Sequence, residues 1–538
     1  GFFRNVLGKE PVRINAIYEG DPNVDPWSYA PNTSTILNYF GPNGLGYLPA
    51  SPSSLGYWIG GTSGKISNAI NNGTFMVLHR DHGYEQGWGE PAYSNSSMAS
   101  LDNEHTTFVY SVNCLTGKFN IGGECFAEGF LRYPKRAYGI IAASEVSYSF
   151  VNDTYVWGAM DHMWPEFMPE YGTTPETRGL FPAFSNAAGK FFLEQSSWPY
   201  NTDNKEVTYH LFHHFGDAFT TIYSEVPQEL LAVHNDVLIG GAATFRVHTE
   251  ADALVALSVD GEIIGVADGT GEPQDIAIAA QQPGVVVDIV ITKPNRFRYE
   301  SKITVADPNT AYVVYDNYLI QDDAGNGNGS ADYNEEISLD LSLINLGLID
   351  AENVSVTVSS DDPYVAVTDP EEQAGDVPAG EVVTVNGGWT CRIADSVPDQ
   401  HKIFLNVAAA DGSDIWHSEF FITALAPDFD LISHYIDDPQ GNNDGKLDPG
   451  ETATLHLTIK NTGSSTAYDI SAGLGPNDYY LSVLSDYQFA GDLEAGQETT
   501  VVFTVAASEL TPGGFNSMVN LNIEAGFNRY KTETFTLV

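Results

Sequence analysis

Two segments of the chain, TFMVLHRDHG at residues 74–83 and FVYSVNCLTG at residues 108–117, share one pattern. Each begins as a nearly continuous apolar run and ends in polar residues and a glycine. Such runs are typical of strands that are covered on both faces of a sheet, as parallel strands are. Parallel strands end at the same edge of a sheet, where open α/β folds place their sites. We therefore expect His82 and Cys114 to lie side by side.

The residues around these segments predict the rest of an α/β sheet. Apolar runs at 14–18 and 139–143 predict two more strands, and helices are predicted from Gly64 to Asn71 and from Glu124 to Tyr133. Strands that alternate with helices favour a parallel sheet. We assign residues 1–226 to this α/β domain.

A thiol and an imidazole at neighbouring strand ends suit nucleophilic catalysis. The thiol needs a base that takes its proton or holds it as thiolate, and histidine is the usual partner. Gly83 would let its backbone N–H approach a substrate carbonyl and form an oxyanion hole with the N–H of Cys114. The alternative is that Cys114 is a small buried apolar residue, which is the commoner role of a lone cysteine. Residue order alone leaves both readings open.

The pattern changes near Pro227 to short alternating strands that are separated by Gly, Asp and Pro turns. The runs 254–259 and 262–264 flank Asp260-Gly261, a dipeptide that is typical of a tight hairpin turn. Many such strands predict β-sandwich modules. We place the first module at residues 227–306.

The rest of the chain is an internal repeat with a spacing of 116 residues. Ile320-Gln321-Asp322 matches Ile436-Asp437-Asp438, and Asn345-Leu346-Gly347 matches Asn461-Thr462-Gly463 in the same register. A register kept over this length predicts two copies of one β module. The predicted fold is therefore an α/β parallel-sheet domain followed by three all-β sandwich modules, the last two at residues 307–426 and 427–538.

Each copy of the repeat opens with a loop rich in oxygen-bearing side chains. In the first copy these residues are Asp322, Asn326, Asn328, Asp332 and Glu335, and they align with Asp438, Asn442, Asp444, Asp448 and Glu451. Closely spaced oxygen ligands, a glycine that turns the chain and a closing glutamate are what Ca²⁺ coordination requires. We predict structural calcium in both loops, bound more tightly by the second because it has an aspartate where the first has Asn328. Acidic surface turns are the alternative.

Composition excludes several classes of partner. The chain has 23 Lys and Arg against 71 Asp and Glu, a formal net charge of −48, so phosphate backbones and anionic lipid surfaces would repel it. It contains no apolar run long enough to span a membrane. Its three cysteines cannot form a disulfide framework and are expected to be free thiols.

Two other groups of side chains could bind metal. His210, His213 and His214 have helix-like spacing, but no matching fourth zinc ligand is evident. His79 and His82 with Asp81 form a second possible set, although the pairing of His82 with a cysteine explains the pattern better.

The segments around His82 and Cys114 resemble the gingipain-type cysteine peptidases of the caspase-like clan. Residues 71–83 are similar to the His-Gly segment of that family, and residues 108–114 followed by Cys125-Phe126-Ala127-Glu128 are similar to its nucleophile segment. Phe215-Gly216-Asp217 resembles the motif that closes the catalytic domain, and the module from Pro227 onward is similar to the immunoglobulin-like domain. The resemblance covers roughly residues 60 to 306.

This resemblance implies a caspase-like catalytic domain and a cysteine endopeptidase that acts through a thioester. His82 would be the general base and acid, Cys114 the nucleophile and Gly83 part of the oxyanion hole, whereas Cys125 would be structural. An acid that orients the histidine would suit the end of the strand predicted at 14–18, so Glu19 is the first candidate and Asp21 the second.

The resemblance also predicts a setting for the molecule. Protein or peptide substrates are expected, and the loop Ser147–Asp161, with Asp153, Trp157 and Met160, is expected to line the substrate pocket. Lack of a disulfide framework and millimolar extracellular calcium fit a secreted or cell-surface bacterial protein.

The chain departs from the family because only one α/β subdomain is evident. Either a separate N-terminal chain supplies the other or the chain is a shortened relative, and the start at Gly1 suggests a mature fragment. The alternative function is a calcium-stabilised cell-surface adhesin or scaffold with an inactive peptidase-like domain.

Overall fold

The computed structural model describes residues 1–18, 20–171, 180–198, 202–323, 325–476, 478–485 and 487–537. The chain divides into two compact units. The first consists of residues 1–230 with 292–298, and the second of residues 231–291 with 299–538. None of the helices within the described ranges is long and apolar enough to cross a membrane.

The first unit is built on one four-stranded sheet. Its strands lie in the order Met76–Arg80, Thr107–Val112, Ala137–Ala143 and Phe212–Gly216. The first three are parallel, as the apolar runs predict, but the strand Phe212–Gly216 is antiparallel to its neighbour. The prediction of a wholly parallel sheet is therefore wrong at this edge.

Helices cover both faces of this sheet. Their bounds are Phe2–Asn5, Thr33–Phe40, Ser63–Asn71, Phe126–Arg132, Val151–Met163, Pro182–Gln195 and Lys205–Leu211. Short 3-10 helices lie at Pro52–Leu55, Ser97–Ser100, Pro165–Phe167 and Thr202–Asn204. Along the strand Thr107–Val112, Phe108 and Tyr110 belong to one hydrophobic cluster, and Val109 belongs to the other. This alternation explains the unbroken apolar run, since both faces of the strand are buried.

The strand predicted at 14–18 does not form. The carbonyl of Asn15 accepts a hydrogen bond from Gly61 N–H at 2.7 Å, and that of Ala16 accepts one from Gly60 N–H at 3.2 Å. The segment therefore uses its backbone groups on a neighbouring loop and not on the sheet, and Ile17 is 62% exposed.

The second unit consists of paired sheets. Between residues 232 and 306, one sheet has the strands Gln274–Ala277, Thr244–Thr249 and Ala232–His234, and the other has Glu262–Asp268, Leu254–Val259, Val286–Thr292, Tyr299–Ala306 and Val237–Ile239. The predicted hairpin is present, and Asp260 and Gly261 both have positive φ, at 50° and 85°, as its two-residue turn requires.

The two copies of the repeat share one strand order. In the first copy the sheets are Val313–Gln321, Glu336–Asn345, Val382–Ile393 and Val365–Asp369, facing Ala331–Asp332, Ile415–Leu425, His401–Ala410, Ala351–Ser359 and Glu371–Val377. In the second they are Phe429–Asp437, Thr452–Asn461, Glu498–Ala507 and Leu481–Val483, facing Tyr487–Leu493, Ala467–Pro476, Ser517–Ala525 and Arg529–Leu537. Most strands of the second copy start 116 residues after their counterparts, so sequence register and fold register coincide.

Candidate active site

The two polar segments meet at one edge of the four-stranded sheet. Strands Met76–Arg80 and Thr107–Val112 are paired in register, with Arg80 opposite Val112, and both then leave the sheet. A Cβ atom added to Gly83 would lie 2.5 Å from Asn113 Oδ1 and 2.7 Å from the carbonyl oxygen of Cys114. The segment that carries His82 therefore packs directly on the segment that carries Cys114.

The backbone of His82 is held on both sides while its side chain is exposed. Its N–H donates to Asp81 Oδ1 at 2.6 Å, and its carbonyl accepts from Gly89 N–H at 2.9 Å. The second bond closes a hairpin between Gly83–Tyr84 and Gly87–Trp88. A substrate can reach the imidazole from solvent, because the residue is exposed.

Cys114 lies at a sharp turn and is partly exposed. Its Sγ donates to the carbonyl of Ser147 at 3.6 Å, and Ser147 Oγ donates back to Sγ at 3.8 Å. Asn152 Nδ2 fixes that hydroxyl with a 2.8 Å hydrogen bond. Leu115 has φ of 62°, a left-handed conformation that is rare for a residue with a branched side chain. Strained turns of this kind are concentrated at functional sites.

The other two cysteines are buried and unsuited to nucleophilic attack. Burial raises the pKa of Cys125 to about 11 and that of Cys391 to about 11. The backbone N–H of Cys125 donates to Glu128 Oε2 at 2.8 Å, at the start of the helix Phe126–Arg132. Cys125 is thus a helix-capping residue, and Cys114 is the accessible thiol of the three.

A network of buried polar side chains lies beneath the Cys114 turn, and sequence reasoning missed it. Its members are His79, Trp88, Ser111, Asn113 and Thr116. The available signal was polar residues inside otherwise apolar runs, since His79 and Ser111 interrupt the two strands opposite each other. Because such groups lose solvation when buried, they need fixed partners.

Residues 23–223 match the sequence model of Peptidase family C25. This part of the chain, here called the C25 region, is similar to that family. Gingipain R2 of Porphyromonas gingivalis is 26% identical to the chain over 216 residues, which are 39% of this chain and 28% of that protein. The C25 region therefore corresponds to less than a third of that relative.

Two solved structures are also similar to the chain. The crystal structure of the Arg-specific cysteine proteinase gingipain R has 22% sequence identity and a TM-score of 0.41, and the match covers 45% of this chain and 56% of that one. A complex of Porphyromonas gingivalis RgpB pro- and mature domains has 20% identity and a TM-score of 0.41, covering 47% and 61%.

Two predicted features of the first unit stand differently in the structure. Glu19 lies outside the described residues, and the carboxylate of Asp21 accepts the N–H of Asn23 in its own turn at 2.9 Å. The predicted pocket loop from Ser147 to Asp161 is wrong beyond residue 150, because Val151–Met163 is a helix.

Acids on that helix are already paired. Asp153 forms a 2.8 Å ion pair with Arg80, and buried Asp161 accepts the N–H of Met168 at 3.0 Å. Both carboxylates are thus engaged by partners within the protein.

The histidines considered as metal ligands in the C25 region have other partners. His213 and His214 are consecutive on the strand Phe212–Gly216, so their side chains leave opposite faces of the sheet. His213 Nε2 contacts Ser144 Oγ at 3.1 Å, and His214 stacks on Phe108 with ring centroids 5.7 Å apart. Within the described ranges, no three His, Cys, Asp or Glu side chains are grouped as a metal site.

The acidic loop of the first repeat folds around buried carboxylates. Asn326 and Asn328 each donate from Nδ2 to Asp332 Oδ2 at 2.7 Å, and backbone N–H groups of the loop donate to Asp322 and Glu335. All three acids are less than 9% exposed, and Asp332 Oδ1 is buried with no hydrogen-bond partner. Burial, followed by the charges of Asp332 and Asp322, raises the pKa of Glu335.

The loop of the second repeat has most of the same hydrogen bonds, without the one that Asn328 donates in the first, and is more open. Asn442 Nδ2 donates to Asp448 Oδ2 at 2.6 Å, and the backbone N–H of Asp444 donates to Asp438 Oδ2 at 3.2 Å. Asp438 is buried, whereas Asp448 is exposed and Glu451 is half-buried. The duplication has thus preserved the arrangement of the loop while changing its exposure.

A glycine lets the closing glutamate fold over each loop. A Cβ atom added to Gly325 would lie 1.7 Å from Glu335 Oε1, and one added to Gly441 would lie 1.2 Å from Glu451 Oε1. Only a residue without a side chain fits there. This close contact with the closing glutamate explains why both copies have a glycine at the aligned position.

Proposed function

We propose that the chain is a cysteine endopeptidase that hydrolyses peptide bonds in protein or peptide substrates through a Cys114–His82 dyad. The observation that carries the proposal is the direct packing of Gly83 on Asn113 and Cys114. This packing joins the His-Gly segment to Cys114, whose thiol is partly exposed while the other two cysteines are buried. The match of residues 23–223 to the model of a peptidase family supports the same reaction class.

The reaction proceeds in two steps. His82 takes the thiol proton, and the Cys114 sulfur attacks the scissile carbonyl, whose oxygen becomes negatively charged. The backbone N–H groups of Gly83 and Cys114 are the oxyanion donors in this proposal, and the contact between the two segments supports their convergence. The protonated His82 then gives its proton to the leaving amine, which leaves a thioester on Cys114.

Hydrolysis of the thioester completes the cycle. His82 accepts a proton from water, and the resulting hydroxide equivalent adds to the thioester carbonyl. When the tetrahedral adduct collapses, the sulfur leaves and recovers the proton from His82. The product is a new C-terminal carboxylate, and the thiol is restored.

A thiol-reactive peptide warhead tests this assignment. The wild type and Cys125→Ala should be labelled and should cleave a fluorogenic peptide library, whereas Cys114→Ala and His82→Ala should do neither. Cys125→Ala is the matched control because it also removes a thiol from this unit. Equal labelling of wild type and Cys114→Ala would contradict the proposal and favour the adhesin or scaffold alternative.

We also propose that Ca²⁺ stabilises the acidic loops of the two repeats. Asp322, Asp332, Glu335 and their counterparts in the second copy would hold it, with the asparagine amides turned to present oxygen. The carboxylates would have to move closer together, because they are not grouped as a metal site in the described residues. The buried Asp332 Oδ1, which has no hydrogen-bond partner, supports the fit of a cation to the first loop. The ion would neutralise carboxylates that otherwise repel one another.

The proposed setting is outside a bacterial cell, where calcium is abundant. A separate N-terminal chain or subdomain remains part of this proposal, because the matched region is a minor fraction of the gingipain it resembles. Fractionation of the native producer, followed by purification without denaturant, tests both points. Protein confined to the cytosol would contradict the location, and a single pure chain with full activity would contradict the need for a partner.

A further inference from the structure

Asn113 connects the two segments of the candidate active site. It is 1% exposed, and its Oδ1 is the atom closest to the position that a Gly83 side chain would take. It precedes Cys114 directly, so a shift of its backbone would move the turn that carries the thiol. This inference rests on the proposed function. We propose that Asn113 is a positioning residue that sets the spacing between the His82–Gly83 segment and Cys114, and that His79 fixes the orientation of the Asn113 amide.

The orientation of the Asn113 amide follows from its partner. His79 Nε2 contacts the carbonyl oxygen of Glu90 at 3.3 Å, and an oxygen of this kind can only accept, so Nε2 carries the proton. His79 Nδ1 is therefore an acceptor, and the group that faces it at 2.7 Å must be the Nδ2 amide of Asn113. Oδ1 is left to face Gly83 and Thr116.

His79 is itself immobilised. Its ring stacks on Trp88 with centroids 4.3 Å apart and planes 4° from parallel, and the residue is 7% exposed. Burial lowers the pKa of His79 to about 4, which keeps the ring neutral and its Nδ1 an acceptor at neutral pH. The charged neighbours are Asp81, which favours the protonated ring, and Arg80, which opposes it.

The other end of the amide fixes the nucleophile turn. Thr116 Oγ1 donates to Asn113 Oδ1 at 2.8 Å, and Ser111 Oγ donates to the same atom at 3.2 Å. Asn113 thus bonds to residues before and after Cys114, while Oδ1 rests against Gly83. A displacement of the amide would shift the thiol and the His-Gly segment relative to each other.

A carboxylate in place of the Asn113 amide distinguishes a positioning role from a purely structural one. In Asn113→Asp, an oxygen faces His79 Nδ1, and the contact becomes favourable only when both ring nitrogens carry protons. We expect the maximum of kcat to move to lower pH in this variant. Asn113→Ala should lower kcat on the order of 10²-fold through misplacement of the reacting groups, with little change in KM.

Asn103→Ala is the matched control. Asn103 is also fully buried in this unit, and its amide donates to the carbonyls of His105 and Arg136, outside the candidate site. We expect this variant to melt earlier than wild type while the folded protein keeps its kcat and pH profile. If Asn113→Ala and Asn113→Asp behave in the same way as Asn103→Ala, the positioning role is wrong.

The rate of Cys114 alkylation by iodoacetamide, followed by mass spectrometry of the peptide that contains Cys114, separates this proposal from the proposed function. This readout requires no peptide cleavage. A pH dependence of alkylation that changes in Asn113→Asp but not in Asn103→Ala supports the positioning role, even if wild type cleaves no peptide. An unchanged pH dependence overturns it, even if wild type is an active peptidase.

Discussion

Gly83 lacks a side chain at a point where none would fit. A methyl group there would lie 2.5 Å from Asn113 Oδ1 and 2.7 Å from the Cys114 carbonyl oxygen, so one segment would have to move. We expect Gly83→Ala to lower kcat/KM for peptide cleavage on the order of 10²-fold. Gly122→Ala, which meets no atom within 4 Å, should leave the rate unchanged. Equal rates in the two variants would show that the contact does not matter for the reaction.

His79 should make the stability of the first unit depend on pH. Its pKa is about 4 in the folded protein against an ordinary value of 6.5, so the unfolded chain binds the proton more readily. The stabilisation is complete above pH 6.5 and is lost as pH falls towards about 4. The difference corresponds to about 3 kcal/mol in the free energy of unfolding.

Urea unfolding of the wild type and His79→Gln at pH 7 and pH 4.5, followed by a signal from the first unit, measures this effect. The glutamine variant cannot take up a proton at this position, so we expect its stability to fall less between the two pH values. Parallel losses in both proteins would assign the acid sensitivity to other groups.

At the scale of single residues, the sequence predicted the two segments of the candidate site but not the side-chain contacts between them. His82 and Cys114 follow from the ends of two apolar runs, because strand ends can be read from local pattern. Asn113, His79 and Ser147 could not be assigned roles, because their partners depend on the register between strands and on the path of the following loop. Local sequence does not specify either of these.

The acidic loops differ more in burial than in composition. Formal charge favours calcium at the second loop, but the carboxylates of the first loop are more deeply buried. Buried acids that lose a cation are left as uncompensated charges with little access to water, which destabilises the fold. We therefore expect calcium to raise the melting temperature of the second unit mainly through the first loop.

Two double variants of the full chain test that ranking. Asp332→Asn with Glu335→Gln should abolish more of the calcium-dependent shift than Asp448→Asn with Glu451→Gln, measured by calorimetry in calcium and in EDTA. A saturated site adds about 2.7 kcal/mol at a hundredfold excess of calcium over Kd. If calcium does not move the wild-type transition of the second unit, the loops are acidic turns.

Whole elements were predicted where one physical pattern dominated. Strands of the second unit and the Asp260-Gly261 hairpin follow from alternation and turn chemistry, and the repeat follows from its spacing of 116 residues. The predictions failed where apolar content did not decide the structure: 14–18 pairs with a loop, and 151–161 is helical. In both places the tertiary surroundings determined the backbone conformation.

At the scale of the whole molecule, one arginine joins the two repeats. Arg529 of the second copy donates to the carbonyls of Asp395 and Val397 in the first and to that of Pro427 at the start of the second, at 2.9 to 3.1 Å. Its guanidinium also lies 5.5 Å from the centre of the Tyr333 ring. These charge-assisted bonds cross the junction and hold the copies in one orientation.

We expect Arg529→Ala to destabilise the second unit by about 2 to 4 kcal/mol, because several hydrogen bonds of a charged group are lost together. Arg392→Ala is the matched control, since exposed Arg392 makes one 3.3 Å bond to Asn334 Oδ1 within its own copy. Chemical denaturation monitored by tryptophan fluorescence measures both. A loss no greater than that of the control would show that the junction contributes little.

The shared strand order of the two repeats makes misassembly between them possible during synthesis. Adjacent modules with the same topology can exchange equivalent strands before either is complete, and such misassembly is characteristic of tandem repeats. Their cores differ in a way that opposes the exchange: fully buried Trp389 of the first copy lies opposite Leu339, whereas the smaller, fully buried Phe503 lies opposite the equivalent Leu455 in the second. An exchanged strand would force an indole into a space shaped for a phenyl ring and leave a void in the other module. Overpacking and cavities both destabilise a core. The size difference therefore favours the pairing of each strand within its own module over the exchanged arrangement.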